Sequence, residues 1–102
     1  MEENKVLDTS LLIMGSSGIT TIFNIIEYPP AYEKCSIIWP KREDYARALA
    51  IASKLRKAGK PVGAIDIIIA SICINRALVL VSRDEDFKVV REIDPSLKLE
   101  LH

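Results

Sequence analysis

Apolar and polar positions along this chain fall into short blocks, and the spacing changes from one block to the next. Lys5 to Ile13 (KVLDTSLLI) is mostly apolar and reads as a buried strand that ends near Asp8 or runs just past it. Gly15, Ser16, Ser17 and Gly18 predict a short loop, and the β-branched and aromatic ITTIF of Ile19 to Phe23 predicts a second short strand. A helical turn or more can follow from Asn24 to Tyr28, but Pro29 and Pro30 must stop it, because proline lacks a backbone donor and restricts the residue before it. Ser36 to Trp39 (SIIW) is strand-like and stops at Pro40.

From Arg42 to Ala58 the period changes to that of a helix. Tyr45, Ala48, Leu49, Ala52 and Leu55 recur at helical spacing, and Gly59 and Pro61 end the segment. A second helix is expected from about Gly63 to Asn75. Ala77 to Val81 (ALVLV) is short and uniformly apolar, which predicts a strand buried on both faces. Ser82 to Glu92 reads as a third helix, with Ser82 and Glu85 spaced as a capping box, and Leu97 to Leu101 (LKLEL) alternates as a half-buried edge strand does. Strands separated by helices predict a single α/β domain over residues 1–102: a three-layer α/β/α sandwich on a mainly parallel sheet of four to five strands. In such sheets functional sites form beyond the carboxyl ends of the strands.

Composition narrows the chemistry. The chain has 102 residues, 49% of them hydrophobic, with 14 basic and 14 acidic side chains and no formal net charge. A protein that coats nucleic acid by charge alone would be strongly basic. No apolar run is long enough to span a bilayer, and the acidic start MEENKV lacks the features of a secretory signal, so a cytoplasmic protein is expected. Two cysteines, Cys35 and Cys73, make neither a disulfide framework nor a zinc site, and are expected as small buried hydrophobes. The one histidine, His102, rules out a His-based triad or a His-rich metal site. Phe23, Tyr28, Tyr32, Trp39, Tyr45 and Phe87 form no interleaved stacking platform for single strands and are expected mostly in the core.

Enzymatic chemistry, if present, must come from carboxylates, hydroxyls or lysine, and four acids stand in unusual places. Asp8 interrupts an apolar run, where a carboxylate is costly unless paired or metal-bound. It could instead cap a helix beginning at Thr9. Asp66 is the one charged residue between Val62 and Ile74, in the first turn of an expected buried helix; there the helix dipole favours its ionised form, a role that could be purely local. Asp84 follows ALVLV almost at once and so lies at the carboxyl end of that strand, although Asp84 and Asp86 would also suit the first turn of a helix. Glu27 ends the apolar segment IFNIIEY and could equally be an exposed helical acid. If the four converge they cannot all stay ionised unaided, since two carboxylates ~4 Å apart repel by about 4 kcal/mol at an effective dielectric of ~20. An oxygen-only cluster favours Mg²⁺ or Mn²⁺ over Zn²⁺.

LDTS at Leu7 to Ser10, IDIIIA at Ile65 to Ala70 and LVSRDEDF at Leu80 to Phe87 resemble the three signature segments of PIN domains, in the same order and with an AGKPVG turn before the second. The resemblance covers nearly the whole chain. It implies a metal-dependent endoribonuclease, and in size and pattern a VapC-type toxin of a prokaryotic toxin–antitoxin pair. Carried over residue by residue, it makes Asp8, Glu27, Asp66 and Asp84 the catalytic and metal-holding acids for Mg²⁺ or Mn²⁺. Ser10 and Ser82 become hydroxyls that orient the acids, and Asp86 an extra acid. It further implies RNA as substrate, a small antitoxin as partner and a homodimer. Because the pocket is acidic, RNA must be gripped from outside it. Arg83 is the nearest basic group; Lys88 is close by, while Arg42, Arg47, Lys54, Lys57 and Lys60 read as a solvated helix face. One departure is the 19-residue spacing of Asp8 and Glu27, shorter than is usual in the family. It leaves a second reading, a catalytically degenerate PIN-like domain kept as an interaction or structural module. Phosphatases of the haloacid-dehalogenase type and response-regulator receivers fit less well, with Ser10 where the former want an Asp and Arg83 where the latter want a Lys.

Overall fold

The computed structural model describes residues 4–102. Its elements, in chain order, are β1 (Lys5–Leu7), α1 (Thr9–Ile13), β2 (Ile19–Thr21), α2 (Ile22–Glu27), a 3₁₀ segment (Pro29–Lys34), β3 (Ser36–Ile38), α3 (Arg42–Lys57), α4 (Ala64–Asn75), β4 (Val79–Ser82), α5 (Asp86–Ile93) and β5 (Lys98–Leu101). The five strands form one sheet in the order β3-β2-β1-β4-β5, and every pairing is parallel. The expected α/β architecture is therefore present, with the sheet wholly parallel.

Alternation along the strands divides the core between the two faces of the sheet. Val6 and its register partner Leu80 join a large cluster with Ile51 and Leu55 of α3, Ile69 and Cys73 of α4, and Phe87 and Val90 of α5. One position along, Leu7 belongs to a smaller cluster with Leu12 of α1, Ile25 of α2 and Ala31, and Ile37 of β3 packs there too. The two cysteines are both free and belong to different clusters, Cys73 to the first and Cys35 to the second. Burial pushes the Cys73 thiol up to about 12, so it is inert.

Several boundaries differ from the sequence-based expectation. The run KVLDTSLLI is not one strand. It breaks at Asp8, whose extended backbone (φ −75°, ψ 166°) lets its carbonyl accept from Leu11 and Leu12 and so open α1. The second strand stops at Thr21 rather than Phe23, because the Thr21 hydroxyl caps α2 by accepting from the backbone of Asn24. Ser82 is not a helix cap but the last residue of β4, and α5 begins at Asp86 with Glu85 as its N-cap.

The buried stripe of α3 is also rotated from the one the apolar residues suggest. Asp44, Ala48, Ile51 and Leu55 face inward, while Tyr45 and Leu49 are exposed. Asp44 turns in because Arg76 grips both its carboxylate oxygens at 3.0 Å, Asn75 donates to one of them and the Lys41 backbone to the other. Burial alone would raise this carboxyl; these donors and the Arg76 charge hold it below the usual range. Phe87 is a core residue as expected, but Tyr32, Trp39 and Tyr45 lie on the surface.

Candidate active site

At the carboxyl ends of β1 and β4, and between the starts of α1 and α4, lies an open cleft of about 370 Å³ lined by Asp8, Thr9, Ser10, Glu27, Asp66, Arg83 and Asp84. Each acid arrives from a different element. Asp8 follows the central strand β1, Glu27 ends α2, Asp66 sits in the first turn of α4, and Asp84 lies in the turn between β4 and α5. Asp66, Asp84 and Asp86 can each offer an oxygen such that all three oxygens lie within 4.8 Å of one another. Asp8 is 7% exposed, whereas Glu27, Asp84 and Asp86 face solvent.

Asp8 is placed by three neighbours. Its backbone N–H donates to Val81, which continues the β1–β4 ladder past the end of β1. Ser82 donates its hydroxyl to Asp8 Oδ2 at 2.6 Å, and Asn24 donates its amide to Asp8 Oδ1 at 2.8 Å. Although Asp8 is the N-cap residue of α1, its side chain makes no capping bond and is given over to these partners. Ser82 also accepts from the backbone of Asp84, and Asp84 accepts from the backbone of Asp86, so one hydroxyl links two of the acids and fixes the turn that carries the third. Glu27 is held by Thr9, whose hydroxyl donates to it at 2.6 Å.

Burial raises the Asp8 carboxyl above its ordinary value against the lowering effect of its Ser82 and Asn24 hydrogen bonds. Asp66 is pushed up to about 6, first by burial and then by the charges of Asp84, Asp8, Glu27 and Asp86. A group of acids that raise one another in this way calls for a positive counter-charge.

The donor set suits a hard divalent cation: several carboxylate oxygens and hydroxyls, with no imidazole or thiolate. Ser10 supports the fit, because its hydroxyl oxygen is buried at this cleft without a hydrogen-bond partner among the described residues. Ser10 therefore bonds none of the acids, and the hydroxyls that do so are those of Ser82 and Thr9. Arg83 lines the cleft and directs one guanidinium N–H to Met14 Sδ at 3.1 Å. Of the other basic groups considered, Arg47 is engaged with Asn75 and Asp94, Lys60 with Glu92 and Lys88 with Glu85.

The sequence alone did not single out Thr9, Thr21 or Asn24. The available signal was Asn24 itself, a polar residue in the apolar run IFNII that ends up fully buried.

No curated protein matches the chain in sequence. Solved structures match its fold. VapBC bound to DNA from Salmonella typhimurium has a TM-score of 0.76 at 18% identity, over 95% of this chain and 96% of the compared one. VapBC-1 from nontypeable Haemophilus influenzae has a TM-score of 0.75 at 16% identity, over the same shares. VapBC2 from Rickettsia felis, bound to a DNA fragment from the promoter, has a TM-score of 0.73 at 17% identity, over 95% of this chain and 97% of the compared one. The family model of the PIN domain matches residues 26–93, about two thirds of the sequence, and the chain belongs to the PIN domain family.

Proposed function

We propose that this protein is a Mg²⁺- or Mn²⁺-dependent endoribonuclease and the toxin of a toxin–antitoxin pair. The observation that carries the reading is the convergence of Asp8, Glu27, Asp66 and Asp84, from four separate elements, on one open cleft at the carboxyl ends of the strands. The similarity of fold to chains of VapBC structures, one of them, from Mycobacterium tuberculosis, described as a member of the VapBC family of toxin-antitoxin systems, supports a small antitoxin as partner; a homodimer and a cytoplasmic setting complete the proposal. No helix among the described residues is long and apolar enough to cross a membrane.

Asp66 and Asp84, whose oxygens gather with that of Asp86, would hold the cation with Asp8 and Glu27 of the same cleft, and the Ser10 hydroxyl, without a partner among the described residues, stands beside them. When bound, such a cation polarises a phosphodiester and lowers the pKa of an attacking water. The chain's own residues supply the rest. Glu27 is exposed to the cleft and kept oriented by Thr9, which suits it to take a proton from water. Arg83 is the basic side chain lining the cleft, placed to attract a phosphate into acidic surroundings. Retention of this arrangement across the short Asp8–Glu27 spacing favours an active enzyme over a degenerate module.

The test is to incubate the protein with labelled single-stranded RNAs and Mn²⁺ or Mg²⁺, beside an Asp66→Asn variant and an EDTA control. Cleavage by wild type that is lost in both controls is the expected result. Intact RNA together with no Mn²⁺ effect on the melting temperature overturns the nuclease reading and leaves the interaction module in its place.

A further inference from the structure

Asn24 is fully buried and uses all of its polar capacity. Its amide nitrogen donates to Asp8 Oδ1 at 2.8 Å and to Thr9 Oγ1 at 3.0 Å. Its carbonyl oxygen accepts from the Thr21 hydroxyl at 2.6 Å and from the Thr21 backbone at 3.4 Å. An amide nitrogen has only donors. The Thr9 oxygen must therefore accept from Asn24, which leaves the Thr9 hydrogen to point at Glu27 Oε1, 2.6 Å away. One side chain thus sets the direction of two hydrogen-bond branches, one ending on Asp8 and the other on Glu27, and every hydrogen in them points toward a carboxylate.

We propose that Asn24 is the positioning residue of this cleft: through its single amide it holds the Asp8 and Glu27 carboxylates in the orientation that receives the cation and the attacking water. The proposal rests on the nuclease reading above. Asn24 also closes a reciprocal cap with Thr21 at the start of α2, so a purely structural role has to be separated from the positioning one.

Two variants make that separation. Asn24→Leu keeps the side chain's approximate shape and removes both branches together with the side-chain half of the cap, leaving the Asn24 backbone N–H on the Thr21 hydroxyl. Thr21→Val removes the hydroxyl that accepts from the Asn24 backbone and donates to the Asn24 carbonyl, and leaves the Thr21 backbone on that carbonyl and the amide donors to Asp8 and Thr9 in place. For each, the melting temperature without metal, Mn²⁺ affinity by calorimetric titration, and kcat and KM for RNA cleavage are measured. Both variants should melt lower than wild type. Asn24→Leu should in addition lose about 10- to 100-fold in Mn²⁺ affinity, the usual effect of removing a group that orients a metal ligand, with kcat falling and KM for RNA little changed. Thr21→Val should keep Mn²⁺ affinity within about threefold of wild type, well inside that range.

Equal Mn²⁺ affinity in wild type and Asn24→Leu, or equal losses in the two variants, overturns the positioning role and leaves the nuclease intact. A wild type that neither binds Mn²⁺ nor cleaves RNA overturns the nuclease reading and the positioning role with it. Should Asn24→Leu fail to fold, Thr9→Val carries the test through the Glu27 branch. A lower kcat at an unchanged melting temperature supports the relay, and an unchanged kcat overturns it.

Discussion

Asp66 concentrates the conflict between folding and the proposed function in one side chain. An unfolded aspartate loses its proton near 3.8, whereas the folded protein holds this one until about 6. Between those values the folded state binds more protons than the unfolded state. The Asp66 contribution is thus fully present below pH ~4, is lost as pH rises to about 6, and stays lost above it. Asp66→Asn should raise the stability of the metal-free protein at pH 7 by about 1–2 kcal/mol after allowance for solvent screening, and change it little at pH 4. Urea unfolding at the two pH values, in EDTA, measures this directly. A variant less stable than wild type at pH 7 would contradict the account. Part of this was legible in the sequence, since one acid among a dozen uncharged, mostly apolar residues announces itself. The hydrogen bonds of Asp8 were not legible, because its two side-chain donors lie 16 and 74 residues away.

At the scale of elements, α4 joins the cleft to a polar clasp at its far end. Arg76 and Asn75 hold the buried Asp44 of α3 there, and Arg47 of α3 bonds Asp94 just beyond α5. Asp44→Ala would leave Arg76 without its main partner. The expected cost is about 3 kcal/mol, at the lower end for a broken buried pair because Arg76 is 21% exposed. The clasp lies about 15 Å along the helix axis from Asp66. The rise in melting temperature on adding Mn²⁺ should therefore survive the substitution. A loss under 1 kcal/mol in urea unfolding, or a vanished Mn²⁺ response, would contradict this division of labour. The existence and order of most elements followed from periodicity. The inward face of α3 did not, because an apolar count favours Tyr45 and Leu49 over an acid whose partner lies 32 residues on. The break at Asp8 was hidden for a related reason: an apolar run with no glycine or proline suits a strand and a buried helix alike.

Across the whole molecule, charge is balanced in number but not in place. The formal net charge is +0, yet the cleft gathers Asp8, Glu27, Asp66 and Asp84 against a single lining arginine. A cation bound only by the folded state stabilises it by mass action, about 2.7 kcal/mol at a hundred times the dissociation constant. For a domain of this size that corresponds to a rise in melting temperature of roughly 10 °C or more. Saturating Mn²⁺ at pH 7 should produce that rise and EDTA should reverse it. At pH 5 the rise should shrink, because Asp66, with its pKa at about 6, must first lose a proton. Differential scanning calorimetry with and without Mn²⁺ at both pH values decides the matter, and a response independent of pH would remove Asp66 from the proposed metal site.

The sheet order has a consequence for how the protein is made. β1 leaves the ribosome before β4, the neighbour that completes its ladder, and the Ser82 hydroxyl that anchors Asp8 is synthesised 74 residues later. A growing polypeptide carries Asp8 and Glu27 before either Asp66 or Asp84 has been made. For the ribonuclease proposed above this order acts as a delay, because the four acids come together only after β4 and the turn beyond it have been made.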